Sequence, residues 1–204
     1  MNGLSCSLSP AHRMIKKKQF ALETSVDIIF TDPDNWSPLV PNINLGIKYG
    51  ITHSFNVGGI VSVFTPFVDG IILVEPYVVY NVITEKKRHP GFRIYCIFPT
   101  VVSCPKREAQ LYPTLGFYTN YKYKQFQYAL GSEFLLNAYN KTKDKVRYDI
   151  FTGIDYYTRK NNSIALEFGI DDIGQKNKIH GWTFGRPVLK IGYFYNLKKR
   201  DKNE

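Results

Sequence analysis

The stretch Ile43–Gly59 reads INLGIKYGITHSFNVGG, and its side-chain period is two. Ile43, Leu45, Ile47, Tyr49 and Ile51 fall on one face, and Asn44, Gly46, Lys48 and Gly50 on the other. Successive side chains of an extended chain point to opposite faces, so this alternation specifies a strand with one apolar and one polar side. The four residues THSF then lead into a second alternating run, which is the pattern of a hairpin.

The pattern returns along the chain. FALETSVDIIF sets Phe20, Leu22, Val26 and Ile28 opposite Glu23, Ser25 and Asp27. Similar runs cover 55–67, 71–83, 92–102, 111–121, 126–139, 146–157, 164–173 and 188–197. With 20–30 and 43–52 they predict ten strands, most of them 10 to 14 residues long. Strands of globular proteins are typically ~5–6 residues, whereas a strand tilted across a bilayer needs ~9–11. No strong helical period is present, and no apolar run approaches the ~20 residues of a spanning helix. The predicted fold class is all-β: a single antiparallel up-and-down transmembrane β-barrel of about ten strands, with eight and twelve as the neighbouring counts. Residues 1–18 read as an N-terminal tether, 19–198 as the barrel and 199–204 as a basic tail.

The connections alternate in length. Those at 52–55, 122–125 and 158–163 are short; those at 31–41, 103–110 and 173–187 are longer. Outer-membrane barrels have short periplasmic turns and longer outer loops, so both termini are placed on the periplasmic side. Residues 84–91 are long for such a turn, and 66–70 are short for an outer loop. Pro66, Pro76, Pro99 and Pro113 count against regular strands, because proline lacks a ladder donor and lipid offers no water in its place. Pro76, the deepest, reads as a bulge.

A soluble lipid-binding barrel would also alternate, with its apolar face inward. Charge placement separates the two. Of 27 Lys and Arg, only Lys48, Arg93, Arg147 and Lys190 fall within the strands, whereas a soluble barrel carries bases along its outer face. The polar face is rich in glycine, which suits a narrow lumen in which neighbouring aromatic or charged side chains need room. It also carries Glu23, Asp27, Glu75, Glu133, Asp149, Asp155, Glu167 and Asp171. These eight acids and four bases form the predicted lumen charge network, since buried charges are costly unless paired. Tyr49, Tyr80, Tyr121, Tyr139 and Tyr157, near strand ends, and Trp36 and Trp182, in loops, read as interfacial girdle residues.

The segment YGITHSFNVG resembles hairpins common in small bacterial outer-membrane β-barrel proteins. The run Lys190-Ile191-Gly192-Tyr193-Phe194-Tyr195-Asn196-Leu197 resembles the last-strand signal read by the barrel-insertion machinery, through Lys190, Gly192, Tyr195 and Leu197. It departs from the usual case because KKRDKNE follows. The resemblance implies a porin-like barrel in the outer membrane of a Gram-negative envelope, with membrane lipid and the insertion machinery as partners. It names no activity. Gly3-Leu4-Ser5-Cys6 resembles the end of a lipoprotein signal, although Gly3 stands where Leu is usual. Lipidation at Cys6 is the corresponding expectation, and no complete secretory signal precedes it in this sequence.

Candidate chemistry is sparse. Cys6, Cys96 and Cys104 lack metal spacing, the four histidines are scattered, and neither a metal nor a cofactor is expected. Only His180, near Asp171 and Asp172, could sit at the outer rim as a proton shuttle, and no nucleophile motif accompanies it. The expected role is a structural or interaction barrel with a largely plugged lumen; a narrow transport barrel for a small solute or cation is the alternative, and an outer-rim hydrolase a weaker one. The net charge of +10 is concentrated on one side. In this topology the periplasmic rim holds fifteen bases, Lys86, Lys87 and Arg88 among them, against three acids. A basic ring without a groove of stacking aromatics disfavours nucleic acid and suits anionic phospholipid.

Overall fold

The computed structural model describes residues 14–32, 37–38, 42–62, 71–86, 89–103, 108–136, 146–158, 162–171, 173 and 185–197. Ten strands form the barrel: β1 (Phe20–Asp32), β3 (Asn42–Gly50), β4 (Phe55–Ser62), β5 (Ile71–Ile83), β6 (Gly91–Ile97), β9 (Thr114–Tyr123), β10 (Phe126–Leu136), β11 (Val146–Tyr157), β12 (Ser163–Asp171) and β13 (Arg186–Leu197). Every pairing is antiparallel, and β1 closes on β13 through ten residue pairs from Phe20↔Leu197 to Ile29↔Val188. Carried around the closed sheet, the registers return to β1 twelve residues further along, a stagger that tilts the strands against the barrel axis. Three short pieces, β2 (Ser37–Pro38), β7 (Thr100–Ser103) and β8 (Glu108–Leu111), lie beyond the barrel proper.

The prolines explain the short pieces. β7 continues β6 and β8 precedes β9, with Pro99 and Pro113 at the breaks. Pairing runs through both breaks without a slip: Ile97↔Thr114 is followed by Thr100↔Leu111, and Tyr77↔Ile97 by Val74↔Thr100. The Phe98 amide donates to the Pro76 carbonyl at 2.9 Å, and the Tyr112 amide to the Pro99 carbonyl at 2.8 Å. The reciprocal bonds are missing because Pro76 and Pro99 have no N–H. Threonine supplies the donors instead. Thr100 Oγ1 donates to the Phe98 carbonyl at 3.2 Å, and Thr114 Oγ1 to the Tyr112 carbonyl at 3.3 Å. The motif aromatic-Pro-Thr, present as Phe98-Pro99-Thr100 and Tyr112-Pro113-Thr114, therefore repairs the ladder from within. The expected bulge at Pro76 is absent: β5 runs through it in register, Gly59↔Pro76 beside Gly58↔Tyr77.

The outward face is apolar. Leu22, Leu45, Ile47, Leu130, Leu166 and Phe168 are among many large exposed hydrophobics. In the ten barrel strands every outward side chain that the structure describes is uncharged. Outward hydroxyls turn back to the sheet: Thr119 donates to the Gly91 carbonyl at 3.1 Å and Thr152 to the Ala129 carbonyl at 2.9 Å. An apolar belt of this extent is incompatible with a monomer surrounded by water and is what lipid requires. Aromatic side chains gather at the end of the barrel where Phe20 and Leu197 meet. There Phe20 packs on Tyr49 with ring centroids 4.5 Å apart, and Phe126 on Tyr156 at 5.4 Å.

Candidate functional site: the filled lumen

Interior packing rests on a size rule between facing strands. Tyr77 stands opposite Gly58, Tyr95 opposite Gly116, and Phe151 opposite Gly131. A Cβ on Gly116 would lie 2.1 Å from the Tyr95 ring, one on Gly131 2.2 Å from Phe151, and one on Gly58 2.4 Å from Tyr77. The glycines thus let three rings lie flat across the neighbouring strand. With Tyr118 they form a buried apolar layer that also contains Ile60, Val79 and Ile97. A second cluster, Leu73, Val101, Tyr112 and Leu135, fills the end distant from the termini.

The polar groups of the lumen answer one another. Tyr77 donates its hydroxyl to Glu23 Oε1 at 2.5 Å, and Tyr95 to Glu133 Oε1 at 2.6 Å. Lys48 Nζ lies 3.9 Å from Glu23 and 5.5 Å from the centroid of the Tyr77 ring. Lys190 lies 3.1 Å from Glu167, and it is also the register partner of Asp27. Asp27 accepts from Asn44 Nδ2 at 2.8 Å, and Asn44 continues to Ser25 and Ser62. Glu75, Arg93, Asp149, Asp155 and Asp171 are likewise buried, and Arg147 is half-buried. The twelve charges singled out from the sequence therefore all project into one interior. Beside Glu23, the described lumen leaves a void of only about 10 Å³.

Three features depart from the expectations. Arg186, assigned to a loop, begins β13, is buried, and meets Asp171 at 3.4 Å. Gly185 makes this entry with φ of 115°, where a Cβ would strike the Asp171 carbonyl at 2.6 Å. Tyr157, read as a girdle residue, points into the barrel and donates to Gln127. Residues 14–18, read as part of a tether, fold into the terminal mouth: the Lys18 amide donates to the Gly50 carbonyl at 2.7 Å, Ile15 is buried, and Met14 packs on the aromatic layer. In the long connection after β5, Lys86 and His89 exchange both backbone hydrogen bonds, at 3.1 and 3.0 Å. Lys86 is exposed. Cys6, Lys87, Arg88, Trp36, Trp182, Tyr139, His180, Asp172, Pro66 and the tail 199–204 lie outside the described residues. Of the predicted insertion signal, Lys190 and Gly192 face the lumen, while Tyr195 and Leu197 face outward at the closing strand.

At the terminal end of the barrel, between the folded-in segment and the inner wall, lies a cavity of about 400 Å³. Glu85 is in its wall, bonded by Asn120 Nδ2. Burial raises the Glu85 pKa above the ordinary glutamate value, against the opposing pull of the Lys122 backbone amide and the Arg93 charge.

The solved NanC porin aligns with 86% of this chain and 100% of its own length, at 12% identity and a TM-score of 0.53. The N-terminal β-barrel domain of OprF from Pseudomonas aeruginosa covers 90% of this chain and 100% of its own, at 12% identity and a TM-score of 0.38. Ail, the attachment invasion locus protein of Yersinia pestis, covers 90% and 100%, at 10% identity and a TM-score of 0.31. No protein-family model and no curated protein matches the chain. The closed ten-strand sheet, the uncharged outer face and the likeness of fold to NanC together make this chain a transmembrane β-barrel of the outer-membrane type.

Proposed function

We propose that the protein is a closed, non-conducting barrel that serves the outer membrane structurally or as an interaction platform through its rims. The observation that carries this reading is the filled lumen. Tyr77, Tyr95 and Tyr118 are each at most 2% exposed, and they lie across the bore, with the Tyr77 and Tyr95 hydroxyls held by Glu23 and Glu133. Barrels of ~8 strands are already filled by side chains, whereas ~16–18 strands leave an aqueous channel. NanC is described as a porin; this chain shares its fold but has a closed core. Lipidation at Cys6 would add an anchor, and Lys86 with Lys87 and Arg88 would draw anionic phospholipid to the periplasmic rim, each base near the surface contributing about 1 kcal/mol. The reading assigns no catalytic role.

Planar-bilayer recording of the refolded chain tests it. Silence at moderate voltage is expected. The eight acids among the lumen charges favour the second reading, a narrow cation path, and steady cation-selective steps would replace the first reading with it.

A further inference from the structure

The terminal cavity is a second polar site, separate from the ion pairs that fill the mid-lumen. We propose that it binds a small anionic solute bearing carboxylate or phosphate groups, which enters from the terminal rim and goes no further.

The wall gives the chemistry. Lys16, Arg93 and Lys122 line it, against the single acid Glu85. Glu85 Oε2 accepts from Asn120 Nδ2, and the Arg93 and Lys122 charges also act on that carboxylate, so three bases against one acid leave the wall net positive. Two of these cations, buried Arg93 and exposed Lys122, lie against rings. The Arg93 guanidinium lies 5.5 Å from the Tyr118 centroid, and Lys122 Nζ 4.5 Å from the Tyr157 centroid. Arg93 is only 6% exposed, so its planar fork is held in place before any ligand arrives. A fixed guanidinium matches the two oxygens of a carboxylate or phosphate. Met14 and Ile15 supply one apolar side. A volume of about 400 Å³ lies in the range of small-molecule sites, ~300–1,000 Å³. The depth is limited by the aromatic layer, on which Met14 packs. The site is therefore a dead-end pocket rather than a stage of a pore. The dead end rests on the same aromatic layer as the proposed function, whereas the anion-binding wall of Lys16, Arg93 and Lys122 does not, so a conducting barrel would overturn the closed bore and leave saturable anion binding as a separate outcome.

The test is calorimetric titration of citrate, and separately of inorganic phosphate, into the full chain refolded in a non-ionic detergent at fixed ionic strength. Saturable binding of at least one of the two to the native chain is expected. Lys122→Gln should weaken it by about tenfold, and Arg93→Gln by at least as much if that variant passes the heat-shift gel that reports folding. Lys124→Gln, at the exposed turn outside the cavity, should leave it within about twofold. Absence of saturable binding by both probes overturns the proposal. So does an equal loss in Lys122→Gln and Lys124→Gln, which would assign the effect to diffuse rim charge.

Discussion

Gly116 and Tyr95 face each other across β6 and β9, and the space of one is the ring of the other. The ring cannot swing aside, because it is 1% exposed and its hydroxyl is held by Glu133. Gly116→Ala should therefore cost about 1–3 kcal/mol, the usual penalty of overpacking. In a Tyr95→Ala background the same change should be close to neutral; equal costs in both backgrounds, measured by urea unfolding in detergent, would show that the ring is not what excludes the Cβ. Glu85 makes a prediction in pH. Its pKa is raised by burial, so the folded state holds the proton more tightly than the unfolded chain does. The resulting stability is present below the ordinary glutamate value of about 4.3 and is lost as pH rises through the raised folded value. Glu85→Gln should accordingly match the native chain in acid and melt higher than it at neutral pH. An advantage confined to acid would reverse the sign of the argument.

At the scale of elements, the aromatic-Pro-Thr turns of the ladder carry a testable pairing. Thr100→Val leaves the Phe98 carbonyl without a donor in a sheet that faces lipid, and should cost about 1–3 kcal/mol. Pro76→Ala restores the missing amide opposite that carbonyl, so the double variant should recover much of the loss. Strict additivity of the two changes would mean that the hydroxyl and the absent amide do not serve the same acceptor. The sequence revealed strands more readily than breaks. Val146–Tyr157 and Ile71–Ile83 stand in the structure at the bounds that alternation predicts, because lipid outside and charge inside leave each position one admissible face. The interruptions at Pro99 and Pro113 were visible as prolines, but the repair by Thr100 and Thr114 depends on pairing partners far away in the chain. Arg186 was hidden by its neighbours Gly185 and Pro187, which read as loop and instead position the entry to β13. Tyr157 was misassigned because closeness to a strand end outweighed its place in the inward series Asp149, Phe151, Gly153, Asp155. Met14 and Ile15 stand in a basic segment with no period, and only the open mouth of a finished barrel gives them somewhere to go.

For the whole molecule, inside and outside are separated by single steps along the chain. Ile47 is 47% exposed on the belt and Lys48 is 1% exposed in the lumen. Ile47→Arg should destabilise the barrel by roughly 2–4 kcal/mol if it sits near the midplane, whereas Ile51→Arg, beyond the end of β3, should cost far less. Similar penalties at both positions in lipid-refolding titrations would place the belt elsewhere. The same closed sheet brings the first and last barrel strands together, with Phe20 directly beside Leu197. Topologically, the barrel is a ring whose seam has been cut at one place. A circular permutant joined from 197 to 20 by a short flexible linker, without residues 1–19 and 198–204, and opened in the Thr52–Ser54 turn, has the same neighbours everywhere in the sheet. It should regain the native heat-shifted band when refolded in detergent. In the cell, however, its final strand would be β3, and Lys190–Leu197 would be internal. Refolding in vitro together with failed insertion in vivo would show that this segment acts as an address only at the end of the chain; equal success in both would show that the finished ring is all the envelope requires.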